Sequence, residues 1–270
     1  MSQPFGLAVV ANNGDGTVSV VNLLTDSLAV PSVATGTSPA GVAINDATGA
    51  AIVANTGSNT ISEINLGLLF GTTPATTLTP VSVGGFQQPT AVAIDPDRGT
   101  NNQGIAVVTA LALQSGGPTQ GELQVVDIGL ATPILSTTAT PGSVTAPTTG
   151  IVFDPTVFTG TANSGVFYAS SSGGNVISSF NPDNSQISSV NVGINPTALA
   201  LNPETGAVLT TNLAGKTTSL VDTTSSPLKT IKTIGLPGSG QFGVAIDQFT
   251  NLAVIVDQAN NRLLIFPMPN

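Results

Sequence analysis

Short apolar runs separated by polar turn residues recur along the whole chain. Each run has four to eight residues, is rich in β-branched side chains, and is bounded by Gly, Pro, Asn or Asp. These features are typical of β-strands joined by tight turns. The runs fall into four kinds that repeat in a fixed order, which we label A to D.

The four kinds of segment are defined by position. Segments A are 41–45, 91–95, 150–154, 198–202 and 243–247. Segments B are 7–12, 50–55, 105–110, 166–170, 207–212 and 252–257. Segments C are 17–22, 60–65, 122–127, 175–181, 217–222 and 262–268. Segments D are 27–33, 77–84, 133–140, 186–193 and 228–235. The sequence therefore predicts 22 strands.

The apolar pattern changes from A to D. Segments A and B are nearly continuous apolar runs, which predicts strands buried on both faces. Segment C alternates, as in "TISEIN" (60–65), so one of its faces lies nearer to water. Segment D is the most polar and is typical of an outer edge. We therefore expect burial to fall from strand A to strand D in each unit.

A four-stranded unit that repeats with its most buried strand first is typical of a β-propeller blade. Strand A keeps small residues, which suits the crowded inner end of a wedge-shaped blade. The sequence predicts an all-β, six-bladed β-propeller in one domain, 1–270, rather than a pair of β-sandwiches. The first blade lacks strand A and the last lacks strand D. The predicted blades are 1–38, 39–88, 89–146, 147–195, 196–240 and 241–270.

The stretch "VANNGDGTVSVVN" (10–22) raises the question of a calcium loop. Its twin "VANTGSNTISEIN" (53–65) has Ser58 where the first stretch has Asp15. The repeat therefore survives without the carboxylate. This favours strand B, a Gly-containing turn and strand C of blade 1 over a calcium loop.

The amino-acid composition excludes or disfavours several classes of function. Charged residues are only 7% of the chain and the net charge is −9, which argues against nucleic acid and against anionic membranes. There is no Cys and no His, so thiol nucleophiles, imidazole bases and Cys/His zinc sites are excluded. No apolar run is long enough to span a bilayer, and residues 1–6 lack the features of a signal peptide.

The segment "PAGVAIN…AAIVANTGSNTISEIN" (39–65) resembles the YVTN-type β-propeller repeat. The Pro before strand A recurs at Pro39, Pro89, Pro147 and Pro196 and is missing before Gly243. The resemblance covers nearly the whole chain, is weakest in blade 3, and is shared in part with NHL-repeat propellers. It implies a bacterial, extracytoplasmic propeller and does not imply one chemistry.

Polar residues end strands A and B in register. Those ending strand A are expected to cap the following turn: Asn45, Asp95, Asp154, Asn202 and Asp247. Those ending strand B are candidates for a ligand-binding ring at the mouth of the channel: Asn12, Asn55, Ser170, Asn212 and Asp257, with Ala110 interrupting the series. Gluconolactonase-like propellers hold a divalent metal in this region. A weak calcium site at Asp257, Asn212 and Asn55 is the corresponding alternative.

Irregular loops give further candidates, because loops on a rigid scaffold carry function. Blade 3 has a long connection between strands B and C, 111–121. The loops before strands A of blades 3 and 6 supply amide and aromatic groups that suit neutral ligands: Phe86, Gln87, Gln88, Gln241 and Phe242. Tyr168, the only tyrosine, is predicted to lie in the core with its hydroxyl hydrogen-bonded.

Together these features predict a non-catalytic, exported binding or structural module of the cell surface, periplasm or extracellular space. The expected partner is a protein, a peptide or a neutral glycan, contacted on the face that carries the B–C and D–A loops. No catalytic residue and no cofactor are expected. The alternative is a metal-dependent lactonase or related hydrolase. The incomplete terminal blades also predict self-association by strand exchange.

Overall fold

The structure is a computed structural model. It describes residues 6–70, 78–98, 104–112, 120–128, 135–136, 148–157, 165–181, 185–237 and 240–268. These described residues contain 22 strands in six antiparallel sheets, and each sheet is built from consecutive strands. The all-β, six-bladed propeller fold and the predicted number of strands are confirmed. We number the sheets as blades 1 to 6 in chain order.

The chain divides into two compact units, of which the first comprises 1–113 and 123–139. Blade 1 contains β1 (Leu7–Asn12), β2 (Thr17–Asn22) and β3 (Ser27–Ala34). Blade 2 contains β4 (Pro39–Asn45), β5 (Ala50–Asn55), β6 (Thr60–Asn65), a 3₁₀ helix (Leu66–Phe70) and β7 (Val81–Gly84). Blade 3 contains β8 (Ala91–Asp95), β9 (Ile105–Ala112), β10 (Gln120–Asp127) and β11 (Leu135–Ser136).

The second unit comprises 114–122 and 140–270. Blade 4 contains β12 (Thr148–Asp154), β13 (Val166–Ser171), β14 (Val176–Phe180) and β15 (Gln186–Asn191). Blade 5 contains β16 (Pro196–Asn202), β17 (Ala207–Asn212), β18 (Thr217–Asp222) and β19 (Lys229–Gly235). Blade 6 contains β20 (Gln241–Asp247), β21 (Leu252–Asp257), a 3₁₀ helix (Gln258–Asn260) and β22 (Arg262–Pro267).

In blades 2 to 6, strand B and not strand A is the most buried strand among the described residues, whereas in blade 1, which has no strand A, β1 is an edge strand with only Leu7 buried. Every residue of β5, β13 and β17 is buried, whereas the central residues of β4 and β16 are mostly half-buried. The expectation of greatest burial at strand A is therefore wrong. In blades 2 to 6, strand A is the first strand of its sheet and has a sheet neighbour on one side only, whereas strand B lies between two strands. Strand D is exposed as expected, as in β15.

Alternate residues of strand B pack into two different cores. Ile52 of β5 packs with Val92, Ile94 and Val108 of blade 3. Val53, the next residue of β5, packs in a cluster that contains side chains of blade 1. Because successive side chains of a strand point to opposite faces, a strand buried on both faces reads as a continuous apolar run. This packing explains why the B segments lack alternation.

Glycine brings neighbouring A strands into close contact. A Cβ on Gly41 of β4 would lie 2.6 Å from the backbone oxygen of Thr90 and 2.7 Å from Cα of Ala91. A Cβ on Gly150 of β12 would lie 2.6 Å from the backbone oxygen of Thr197. Real Cβ atoms do not approach so closely, so the first strands of adjacent blades meet backbone to backbone.

The stretch "NNGDGT" forms the predicted turn between strands B and C. Asn12 pairs with Thr17 across β1 and β2, which leaves a turn of four residues. Its last residue, Gly16, has a φ of 67°. In the twin turn of blade 2 the corresponding residue is Asn59, with a φ of 57°. Glycine and asparagine are the residues that adopt this left-handed conformation most readily, so the two turns share one backbone conformation at their last residue.

Candidate functional site

The B–C and D–A loops of neighbouring blades contact each other in the first unit. The Thr35 N–H donates to the carbonyl of Gly16 at 3.0 Å. The Thr37 N–H donates to Ser58 Oγ at 3.1 Å, and the Gly57 N–H donates to the Thr37 carbonyl at 2.9 Å. Within this unit, the two kinds of loop therefore form one surface, as the sequence predicted. We call it the loop face of the first unit.

The second unit repeats this arrangement. The Leu213 N–H donates to the carbonyl of Asn195 at 2.8 Å, which joins the B–C turn of blade 5 to the loop that precedes the blade. The Leu236 N–H donates to the Lys216 carbonyl at 2.9 Å. These bonds satisfy backbone groups that strand pairing leaves free, and they hold the loops on their blades.

The asparagines that end strand B are buried inside their blades. Asn55 and Asn212 have 0% of their surface exposed. Asn212 Nδ2 donates to Thr217 Oγ1 and to Ser219 Oγ, both at 2.9 Å. Asn55 donates to Thr60 and Ser62 in the same way, at 3.2 Å and 3.0 Å. The signal for these contacts is present in the sequence as Asn, then Thr five residues later and Ser seven residues later.

Loop glycines cover these asparagines. A Cβ on Gly193 would lie 2.5 Å from Asn212 Nδ2, and a Cβ on Gly36 would lie 2.8 Å from Cβ of Asn55. Asn55 Oδ1 and Asn212 Oδ1 are buried and have no hydrogen-bond partner among the described residues. A ligand at either oxygen would have to displace the loop above it. The geometry thus gives both asparagines a role in tying together the two strands of the B–C hairpin beneath the loop that packs on it.

The other members of the B series also make contacts within their blades. Asn12 is half-buried and donates to Thr17 and Ser19, at 3.1 Å and 2.9 Å. Ser170 Oγ is buried and accepts a hydrogen bond from the Gly150 N–H at 3.0 Å. Ala110, which interrupts the series, is buried with 1% of its surface exposed. In the first unit, Asn12 is thus partly exposed, whereas Asn55 and Ala110 are buried.

Asp257 is held by an ion pair. Its side chain is fully buried, and Arg262 Nε lies 2.9 Å from Asp257 Oδ2. Asn260 Nδ2 donates to both carboxylate oxygens at 3.0 Å and 2.9 Å, and Arg262 also donates to the carbonyl of Pro237. Burial raises the pKa of Asp257, but the hydrogen bonds from Asn260 and Arg262 and the guanidinium charge outweigh burial and hold the pKa below its usual value.

The residues that end strand A cap the turns after them, which confirms that prediction. Asn45 Oδ1 accepts a hydrogen bond from the Ala47 N–H at 2.9 Å, two residues on. The same bond recurs at four other strand ends: Asp95, Asp154, Asn202 and Asp247. Across the described part of the chain, no three His, Cys, Asp or Glu side chains lie close enough to share a metal ion.

The candidates from the D–A loops are divided between core and surface. Phe86 is buried in the core of blades 2 and 3, with 1% of its surface exposed. Gln87 is half-buried and its carbonyl accepts from the Leu111 N–H at 2.7 Å. Gln88 is exposed. Gln241 lies in β20, but its side chain and that of Phe242 lie outside the described residues, as does most of the 111–121 connection.

The loop face of the first unit contains a shallow cleft of about 460 Å³. One side is the B–C turn of blade 1, 13–16, and the other is the D–A loop 36–38. Three of the seven lining residues are glycines, and Asp15 is the only charged one. Backbone and small polar groups therefore dominate this cleft.

No protein-family model and no curated protein matches this sequence. Among solved structures, a functionally unknown protein from Desulfotomaculum acetoxidans DSM 771 is similar, with a TM-score of 0.63 and 13% identity. The match covers 97% of this chain and 78% of that chain. A chain of the Mitotic Checkpoint Complex is similar with a TM-score of 0.53 and 13% identity, over 98% of this chain and 85% of that one.

At 13% identity these similarities carry the fold and not a function. In the described part of the chain, no helix has the length and hydropathy needed to cross a bilayer.

Proposed function

We propose that this chain is a non-catalytic binding module whose loop face in the first unit binds an uncharged segment of a partner protein or peptide. The observation that carries the proposal is the cleft between the turn 13–16 and the loop 36–38. Loops that are fixed on a β-scaffold are a common place for recognition. Ligand or partner contact at this face does not require the buried asparagines.

The chemistry of the cleft favours a neutral partner. Its walls carry an amide, two hydroxyls, one carboxylate and three glycines: Asn13, Gly14, Asp15, Gly16, Gly36, Thr37 and Ser38. Small side chains leave backbone groups close to the surface, where they can exchange hydrogen bonds with a peptide backbone. Apolar lining is sparse, so we expect an affinity in the micromolar range or weaker.

The cleft is also preorganised. The Asp15 and Gly16 N–H groups both donate to the Asn12 carbonyl, at 3.1 Å and 3.2 Å, and Asn13 Nδ2 donates to the Pro39 carbonyl at 3.2 Å. These bonds fix both walls before a partner arrives, which lowers the entropy cost of binding. The similar chain from the Mitotic Checkpoint Complex belongs to a protein complex, which agrees with a protein partner.

The resemblance to YVTN-type repeats supports an extracytoplasmic location as part of the same proposal. We also include self-association, because β1 and β22 each pair with a single strand among those described. Leu263 and Ile265 of β22 are 60% and 62% exposed. An edge strand with exposed apolar side chains is a template for pairing with another chain. Sedimentation velocity at rising concentration tests this, and a monomer throughout would contradict it.

The metal-dependent hydrolase remains the competing function, and no observation favours it. Asp257 is the only carboxylate among its ligands, and calcium would have to displace Arg262 and Asn260 from it. Calorimetric titration with calcium should give no heat of binding. Turnover of a lactone or ester that disappears in Asp257→Ala would establish the hydrolase and overturn the non-catalytic proposal.

The binding proposal is tested by screening a displayed library of uncharged peptides. Peptides enriched on the wild-type protein should lose binding to Thr37→Arg, because Thr37 is exposed and lines the cleft. Thr25→Arg is the matched control, since Thr25 is an exposed threonine in the C–D turn of the same blade and does not line the cleft. Equal binding to both variants would contradict the proposed site.

A further inference from the structure

A second, more enclosed cavity lies in the second unit, away from the B–C and D–A loops. It occupies about 240 Å³ between the sheet of blade 4 and the C–D loop of blade 5. Blade 4 contributes Tyr168 of β13, Ser179 of β14 and Ser188 of β15. Blade 5 contributes the segment 223–226 together with Leu228. We call this cavity the Tyr168 pocket.

The base of the pocket is apolar. Val166, Tyr168 and Leu228 line the pocket and belong to one buried cluster with Ile177 and Val208. Tyr168 has only 1% of its surface exposed, so the prediction that it lies in the core is confirmed. An aromatic ring beside aliphatic side chains offers contact area for C–H groups of a ligand.

The walls of the pocket carry hydroxyl groups and no charged side chain. The hydroxyl-bearing residues are Tyr168, Ser179, Ser188, Thr223, Thr224, Ser225 and Ser226. Such a wall offers both donors and acceptors to an uncharged ligand. A ligand with a net charge would lose its hydration without gaining an ion pair, which is costly in a partly enclosed site.

One wall hydroxyl makes no well-formed hydrogen bond among the described residues. Thr223 is 8% exposed, and its Oγ1 lies beside the Tyr168 hydroxyl without meeting ordinary hydrogen-bond geometry. A buried hydroxyl whose hydrogen bonding is incomplete costs free energy that a bound ligand can recover. Burial, helped by the nearby Asp154 charge, raises the pKa of Tyr168 to about 12, against the smaller lowering effect of the Thr223 hydroxyl as a hydrogen-bonding neighbour. The phenol therefore stays protonated at neutral pH.

The C–D loop that closes the pocket is held in place by Asp222. Its Oδ1 accepts from the Thr224 N–H at 2.8 Å and from Thr224 Oγ1 at 2.6 Å, and its Oδ2 accepts from Ser225 Oγ at 2.5 Å. The Leu228 N–H donates to Ser188 Oγ of blade 4 at 3.3 Å, which ties the end of the loop to the opposite wall. The pocket is thus preorganised.

From this combination we infer that the Tyr168 pocket binds a small neutral polyhydroxylated molecule, a monosaccharide or a shorter polyol. An apolar base with hydroxyls around it matches a ring that has C–H faces and hydroxyl edges. The volume is below the roughly 300–1,000 Å³ of sites for drug-sized ligands, which limits the ligand to about one sugar ring. This site is independent of the loop face and of the partner proposed for it.

The chain supplies its own reporter for this pocket. Tyr168 is the only tyrosine and there is no tryptophan, so tyrosine emission comes from the pocket alone. The experiment titrates the full chain with D-glucose, D-galactose, N-acetyl-D-glucosamine, xylitol and glycerol. Tyrosine fluorescence and saturation-transfer NMR are recorded in parallel, with D-glucuronate as the charged comparison. At least one neutral probe should bind saturably, and glucuronate should bind more weakly.

The diagnostic variant is Thr223→Val, which removes this hydroxyl and keeps the shape of the side chain. Thermal stability should change little, because the hydroxyl makes no well-formed hydrogen bond with a described residue, while probe affinity should fall about tenfold. Ser226→Leu, at an exposed position of the wall, should block binding by filling the pocket. Thr25→Val, in the C–D turn of blade 1, is the control and should bind as the wild type does.

Three results would overturn the inference. The first is the absence of any fluorescence change or saturation transfer with every neutral probe at 100-fold excess over protein. The second is wild-type affinity in both Thr223→Val and Ser226→Leu, which would place the bound probe elsewhere. The third is tighter binding of glucuronate than of any neutral sugar. The loop-face proposal survives each of them, because its peptides are lost in Thr37→Arg and not in Thr223→Val.

Discussion

Asp257 and Arg262 face each other across β21 and β22 at the register position that Asn212 and Thr217 occupy in blade 5. In blade 5 the amide donates to the hydroxyl at 2.9 Å, and in blade 6 the guanidinium lies 2.9 Å from the carboxylate. The neutral pair Asn–Thr and the charged pair Asp–Arg thus perform one task, which is to tie the two ends of a four-residue turn.

The first prediction follows from this equivalence. Arg262→Thr should lower the melting temperature by several degrees, because it leaves a buried carboxylate without its counterion. Adding Asp257→Asn should restore most of the loss, since the double variant recreates the blade 5 pair. Differential scanning calorimetry of the two variants measures the effect. A double variant that is less stable than Arg262→Thr would disprove the equivalence.

The second prediction concerns the buried amides. Asn212→Ala should reduce the free energy of unfolding by about 1–3 kcal/mol, because Thr217 and Ser219 lose a buried donor. Asn12→Ala removes the same two contacts in blade 1, but that site is half-buried and water can replace the amide. We therefore expect a smaller loss for Asn12→Ala in urea denaturation. Equal losses would show that burial does not set the cost.

The third prediction tests the contact between adjacent A strands. Gly41→Ala should destabilise the protein by roughly 1–3 kcal/mol, because the new methyl group would meet the backbone of Thr90 and Ala91. Gly84→Ala is the control in the same blade, where a Cβ would have no atom within 4 Å. Chemical denaturation of both variants gives the comparison. A well-tolerated Gly41→Ala would mean that neighbouring blades move apart at little cost.

The fourth prediction concerns pH and two carboxylates with opposite behaviour. Burial raises the pKa of Asp95 against the opposing effects of the Asp97 N–H and Arg98, so ionised Asp95 costs stability at neutral pH. Asp95→Asn should therefore preserve or slightly raise stability at pH 7, by at most about 1 kcal/mol, and the gain should shrink as pH falls towards 4. Asn45 and Asn202 already perform the same cap in blades 2 and 5.

Asp222 provides the comparison for this experiment. Hydrogen bonds from Ser225 and Thr224 lower its pKa, so ionised Asp222 stabilises the fold above its ordinary pKa near 4. That contribution disappears as pH falls through the lowered value. Asp222→Asn should thus lose stability at pH 7, and the difference from the wild type should close in strong acid. The same sign of effect for Asp95→Asn and Asp222→Asn would contradict the assigned causes.

Strand positions and turn caps could be predicted because they depend on neighbouring residues. The period of the apolar runs and the Asn or Asp at strand ends specify hairpins such as β4–β5, with Asn45 capping its turn. The greatest burial of strand B could not be predicted, because it depends on which edge of each sheet is covered. A continuous apolar run has the same sequence pattern whether it forms strand A or strand B.

The roles of the candidate site residues could be assigned only from their contacts in the three-dimensional structure. A polar residue at the end of a strand reads equally as a ligand or as a cap, and only the partners of Asn212, at Thr217 and Ser219, distinguish the two. The Tyr168 pocket brings together β13, β15 and a loop near residue 225. Such a set has no spacing signature in the sequence, because it forms between blades and not within a repeat.

The two-sided burial of β5 has a consequence for how the chain unfolds. Ala50, Ile52 and Ala54 belong to one core, and Ala51 and Val53 belong to another. Unfolding of β5 would therefore remove packing contacts from the cores shared with blades 1 and 3. The free energy of unfolding of one blade thus depends on the blades beside it. Each of the two units should therefore unfold with nearest-neighbour cooperativity, as linear repeat proteins do. The hydrogen-exchange rate of the most buried amides should then depend on the stability of the adjacent blades as well as on that of their own blade.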